Sequence, residues 1–178
     1  MDQNKFTSKE QIDLLQKMIV RTDGFHNYAN TKSTIILTFI AAIIAAICTN
    51  INKALTYLES SDIDHVIVIF KILAFISIVL LCIALKIVLQ TVIPFTEKSN
   101  TKNIYSFIDI SAYYNSESNY INSFKSETEE EFINSLAALQ YNLSTGLIKK
   151  YEKHKSAIEI MSYSLSLIFI DILIMFLA

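Results

Sequence analysis

Two charged side chains stand inside segments that are otherwise apolar. Asp171 lies in SLSLIFIDILIMFLA, Ser164 to Ala178, and Lys71 lies in HVIVIFKILAF, His65 to Phe75. At the centre of a bilayer each such charge opposes insertion by roughly 2.5–3.5 kcal/mol on translocon scales. Such residues therefore mark either an ion pair or a contact with water. At 1.5 Å per residue, each charge lies about six or seven residues, roughly 10 Å, from the same end of its segment. Two chemistries fit that depth. A Lys71–Asp171 pair, within or between subunits, would lock a helix bundle. Alternatively, one or both charges border a water-filled path and set its ion preference. Snorkelling to the headgroups is a third outcome, and the natural one for Lys86.

The next cluster is KKYEKHK, Lys149 to Lys155. With Arg21 and Lys32, the lysines Lys149, Lys150 and Lys153 are candidates to hold the phosphates of a nucleotide or oligonucleotide. The competing reading is an anchor to anionic headgroups. A small-residue stripe runs through Thr34, Thr38, Ala41, Ala42, Ala45, Ala46 and Thr49. It allows close helix approach in lipid; lined up around an axis, its hydroxyls, Thr38 at the middle, would line a pore. YSFIDISAYYNSESNY supplies rings that can stack on bases or simply form the buried face of a short helix. Glu127 to Glu131 can cap a helix dipole or attract cations. No glycine-rich phosphate loop, Ser/His/Asp spacing or metal box is present, so neither an enzyme nor a metal cofactor is expected. Cys48 and Cys82 lie in apolar runs and read as buried free thiols.

These residues must be carried by long helices. The chain has 178 residues, 52% of them hydrophobic, with 2 glycines and 1 proline. Net charge is −2, which gives no global attraction to nucleic acid. Three segments are long and apolar enough to cross a bilayer: 33–50, 65–93 and 156–178. Pro94 stops the second, because proline cannot continue the hydrogen-bond ladder. Lysine counts orient them. The 51–64 loop has Lys53 against Glu59, Asp62 and Asp64. The flanks 1–32 and 95–155 hold most of the lysines and face the cytoplasm by the positive-inside rule. Met1 to Asn30 is polar and lacks the apolar core of a signal peptide. Thr7 and Glu10 have capping-box spacing, and a rod over 8–50 follows, weakened but not ended by Gly24. A short amphipathic helix is expected over 103–115. A last rod starts after a cap at Ser126; Phe132, Leu136, Leu139, Leu143, Leu147 and Tyr151 keep a helical period.

The order of these pieces resembles the small transmembrane effectors of bacterial anti-phage defence. Those are the Pycsar-type transmembrane effector family, with relatives among Hailong-type channel toxins. The resemblance runs from about residue 10 onward and rests on short motifs. NTKS, Asn30 to Ser33, stands where the family opens its first span with a D-T-K-A-like tetrapeptide, Lys32 falling on the family lysine. Pro94–Phe95 stands at a P-R-like stop. An aromatic stretch follows at Tyr105–Phe107 and Tyr120, then a segment of the form LA..QY.LS...IKKY..H..A, Leu136 to Ala157. The chain departs from the pattern at Asn30, Ser33 and Phe95. The resemblance implies an abortive-infection effector controlled by a nucleotide signal from a partner nucleotidyltransferase or cyclase.

The expected protein is thus an all-α integral membrane protein. It has a cytoplasmic N-terminal helix (1–32), a transmembrane hairpin (33–94), a cytoplasmic helical region (95–155) and a third span (156–178). Three spans cannot enclose a pore, so a channel requires a homo-oligomer such as a tetramer, placed in the bacterial inner membrane. A membrane scaffold for a partner protein and a ligand-free, holin-like disruptor are the rival readings.

Overall fold

A computed structural model describes residues 6–60, 64–93, 98–99 and 102–177. Five helices account for most of them: α1 (Ser8–Glu59), α2 (Asp64–Val92), α3 (Phe107–Tyr113), α4 (Glu117–Ser126) and α5 (Glu129–Leu177). No strand occurs among the described residues. Helices α1, α2 and α5 are each long and apolar enough to cross a membrane.

Local chemistry sets the starts. The Thr7 N–H and hydroxyl both donate to Glu10 Oε2 at 2.8 Å, closing a capping box on α1. Thr128 and Glu131 repeat it on α5 with the same distances. These bonds hold both carboxyls below the usual carboxylate range. The cap of the last rod is therefore Thr128, not Ser126, because Ser126 ends α4. The expected helix over 103–115 is shorter, and α4 is an element of its own. Ser106 caps α3 and Ser116 caps α4 through side-chain bonds to Asp109 N and Asn119 N.

α1 also runs on past its expected end. Polar Asn50, Asn52 and Lys53 mimic a loop, but Ile51, Ala54, Leu55 and Leu58 continue the apolar stripe and pack with Phe70. The connection after α1 is thus shorter than 51–64. α2 ends at Val92, before Pro94. The Pro94–Phe95 motif itself lies outside the described residues.

The chain divides into two compact units. One comprises Met1–Ala29 and Pro94–Lys149; the other comprises Asn30–Ile93 and Lys150–Ala178. The second is the spanning unit. Ile40, Leu81, Ala84, Val88 and Ala157 form its centre, with Ile36, Ile43, Ile44 and Ile47 of α1 packed against it. A second cluster, Ala54, Leu58 and Phe70, lies towards the α1–α2 connection. Cys48 and Cys82 are exposed rather than buried, since the inward positions of α1 and α2 are taken by the isoleucines, leucines and alanines named above.

The first unit is organised by buried polar side chains. Asn103, 1% exposed, accepts from the Tyr105 and Ser106 N–H groups at 2.8 and 3.3 Å and donates to the Ser135 carbonyl at 2.7 Å. Asp109 accepts from the Ser99 N–H at 2.7 Å, and the Tyr113 hydroxyl donates to the Ser99 carbonyl at 2.6 Å. His26 Nε2 donates to the Leu143 carbonyl at 2.9 Å. A buried group left without its partner costs about 1–3 kcal/mol. Asn103→Leu strands two N–H groups and a carbonyl. It is expected to lower the thermal midpoint and to speed hydrogen exchange over residues 105–113; unchanged exchange there would contradict this account.

Candidate functional site

The spanning unit holds a buried polar junction where α1, α2 and α5 meet. Ser33 Oγ lies 2.7 Å from Thr91 Oγ1 and 2.7 Å from His154 Nε2. Exposure is 0% for Ser33, 1% for Thr91 and 3% for His154. Thr91 Oγ1 donates to the Val88 carbonyl at 2.7 Å. A hydroxyl has one proton, so for all three contacts to be hydrogen bonds the direction is fixed. His154 Nε2–H donates to Ser33, Ser33 donates to Thr91, and Thr91 donates to Val88. His154 is then the Nε2–H tautomer, and its buried Nδ1, which has no hydrogen-bond partner, carries the bare lone pair.

Charges surround this uncharged chain. Lys150 Nζ donates to Asn30 Oδ1 at 2.8 Å. Burial first, then the positive charges of Lys32 and Lys150, push His154 below its ordinary value. Burial also lowers Lys150. The junction therefore holds a neutral imidazole at physiological pH. A proton added at Nδ1 would place a charge beside two lysines, with no acceptor for the new N–H.

Two of the motifs that carried the sequence resemblance meet here: Asn30 with Lys150, and Ser33 with His154. Ser33, Thr91 and His154 were not candidate site residues on sequence grounds. The available signal was spacing, since Asn30–Ser33 and Lys150–His154, three and four apart, each share a helix face.

The five basic candidates do not belong to one unit. Lys32, Lys150 and Lys153 lie in the spanning unit, whereas Arg21 and Lys149 lie in the other. Arg21 stacks over the Phe25 ring at 5.6 Å. The aromatic stretch packs largely on itself and on α5. Tyr105 meets Phe132 edge-on at 4.9 Å, and Tyr114 meets Tyr120 at 5.4 Å. A cavity of about 430 Å³ lies beside it, lined by Lys102, Tyr114, Glu127 and Asn134. Among the described residues no His, Cys, Asp and Glu cluster could hold a metal ion.

Asp171 is 6% exposed, and its Oδ1 has no hydrogen-bond partner among the described residues. It borders a cavity of about 370 Å³ walled by α1, α2 and α5, with Asn50, Lys53 and Tyr57 its other polar side chains. Lys71 is exposed on α2. Among the described residues Lys71 and Asp171 form no ion pair with each other. Thr38 and the rest of its stripe, Thr34, Ala41, Ala42, Ala45, Ala46 and Thr49, are all exposed.

The junction makes a pH prediction. Its imidazole has a folded pKa below the unfolded value near 6.5, so the unfolded chain takes up a proton that the folded junction refuses. Stability is full above that value and falls as pH drops below it. The thermal midpoint of detergent-solubilised protein is expected to fall from neutral pH into the acid range. His154→Gln, which keeps an N–H donor, should flatten that slope; equal slopes in both proteins would contradict the assignment.

Comparison with known proteins bears on what this arrangement serves. No curated protein and no solved structure matches the chain. The family model described as the Pycsar effector protein domain, PycTM, matches residues 14–178. That range takes in α2, α3, α4 and α5 whole, most of α1, and with them the three helices that can span a membrane and the junction joining them. The chain belongs to the Pycsar effector family and is a membrane effector of anti-phage defence.

Proposed function

We propose that this effector is a homo-oligomeric ion channel of the bacterial inner membrane. A nucleotide or oligonucleotide from a partner cyclase or nucleotidyltransferase controls it, and its activity arrests growth of the infected cell. In this reading the N-terminus and the 95–155 region face the cytoplasm, which the lysine distribution favours.

The observation that supports conduction is the outward face of α1. At 100° per residue, Thr31, Thr34, Thr38, Ala41, Ala42, Ala45, Thr49, Asn52 and Thr56 share one face, and every one of them is exposed. That face runs about 38 Å at 1.5 Å per residue, longer than the ~30 Å hydrocarbon core. It contains no large apolar side chain. Ile36, Ile40, Ile43, Ile44 and Ile47 of the same helix turn inward, and its exposed apolar side chains, Ile35 and Phe39, lie outside that face. Lipid gains nothing from such a face, whereas water and a second helix both do. The hydroxyls add a preference. Thr34, Thr38, Thr49 and Thr56 each donate to the carbonyl four residues back in their own helix, at 3.2, 2.9, 2.9 and 3.0 Å. Their oxygens then offer only lone pairs outward, which suits cations.

Control is assigned to Lys32, Lys150 and Lys153 beside the three-helix junction. A phosphate held there would change the field at His154 and the hydrogen bond from Lys150 to Asn30. A ligand that binds one state of that junction better shifts the population of the pore by its difference in affinity.

Two measurements test this reading. In a Cys48→Ser, Cys82→Ser chain, Thr34→Cys, Thr38→Cys, Ala45→Cys and Thr49→Cys are expected to react with a membrane-impermeant thiol reagent, and Phe39→Cys is not. Equal reactivity on both faces would move the protein towards a scaffold. Lys153→Glu, at a site away from the junction bonds, should weaken binding of the signal by roughly tenfold or more, the worth of one charged hydrogen bond. Unchanged binding would remove the basic cluster from the ligand site, as a holin-like disruptor requires.

A further inference from the structure

We propose that Asp171 is completed by Lys71 of the partner subunit, in a head-to-tail contact between copies of this chain. The inference rests on the homo-oligomer in the reading above and adds the contact that builds it.

Asp171 is nine-tenths buried, yet no group among the described residues satisfies Oδ1. The cavity in front of it, about 370 Å³, is otherwise almost wholly apolar. A water molecule takes roughly 30 Å³ of liquid, so the space admits a chain of several atoms. Lys53 lines the same cavity but makes no ion pair with Asp171. It sits in the part of α1 that runs on towards Glu59, where an ammonium can reach the headgroups.

Lys71 has the complementary problem. Its neighbours Phe70 and Ala74 form the α2 wall of the cavity, so Lys71 stands at the same level in the bundle as Asp171. It lies at the edge of an exposed α2 face that includes Val68, Ile72 and Phe75, at 55%, 53% and 69% exposure. A second copy presenting that edge to the cavity supplies an ammonium to the carboxylate and covers the apolar side chains around it. One membrane depth then serves both charges, and neither meets hydrocarbon alone.

Donor and acceptor are different surfaces, so the contact is heterologous: each subunit gives one lysine and receives another. Copies inserted in the same orientation are related by rotation about the membrane normal, and such contacts close into a ring. A snorkelling Lys71 and a lipid tail in the cavity are the alternatives that the test must separate.

The test is native mass spectrometry of the full chain released from nanodiscs. Wild type is expected as one closed oligomer. Lys71→Asp or Asp171→Lys alone should shift dissociation to roughly tenfold higher protein concentration or abolish assembly, and the double exchange should restore it. A monomeric wild type would overturn the oligomer and this contact together. An oligomeric wild type whose single variants keep its subunit number, or whose double exchange fails to restore it, would overturn the contact alone. Should the reversed charges prevent insertion, the Lys71→Cys, Asp171→Cys chain lacking Cys48 and Cys82 decides. A short bifunctional thiol reagent is expected to give a ladder of cross-linked subunits, and monomers alone would overturn the proposal.

Discussion

The chain of hydrogen bonds from His154 through Ser33 and Thr91 to the Val88 carbonyl is the constraint on which the spanning unit depends. In lipid, apolar packing between helices gains little over packing against acyl chains, so shape alone specifies a bundle weakly. A polar group buried inside the protein must find a partner there, and each of these three finds one on another helix. The junction fixes the rotation of α1, α2 and α5 together, because turning any one of them strands a buried donor or acceptor. The neutrality of His154 follows from the same burial. A charged imidazole there would face Lys32 and Lys150 and an orphaned N–H.

With rotation fixed, the remaining faces acquire meaning. α1 packs Ile36, Ile40, Ile43, Ile44 and Ile47 inward and leaves Thr34, Thr38, Ala41, Ala42, Ala45 and Thr49 exposed. In a single helix surrounded by lipid the opposite arrangement is expected. α5 likewise turns Asp171 inward to a cavity and shows large apolar side chains, Phe169 and Phe176 among them, on its exterior. Two features of the unit stand out: the exposed hydroxyl face of α1 and the carboxylate cavity. The proposed homo-oligomeric channel would answer both, the first with water along an axis and the second with a neighbour's lysine.

Much of this was legible in the sequence, for identifiable reasons. Length and uninterrupted hydropathy gave three helices able to span a membrane, and Thr7 with Glu10 gave the first cap, because both signals are local. α4 and the Thr128 cap were missed because ESNYINSFKS has little apolar content and Ser126 precedes the same acidic run. The continuation of α1 to Glu59 was hidden by the polar residues Asn50, Asn52 and Lys53, which read as a loop although Leu58 packs on Phe70. Cys48 and Cys82 read as buried because an apolar run does not say which of its faces points inward. The depth of Lys71 and Asp171 could be counted along the chain. That they do not meet within one subunit could not, since it depends on helix rotation. The junction was the deepest omission: serine, threonine and histidine look unremarkable singly, and only tertiary contact makes them one feature.

The central claim is that this effector conducts ions under nucleotide control. Unitary current of the purified protein in a planar bilayer, with and without cyclic mononucleotides and short oligonucleotides, tests it most directly. The account predicts discrete, cation-preferring steps whose open probability one of these ligands changes. A correctly inserted oligomer that stays silent under every ligand would contradict it.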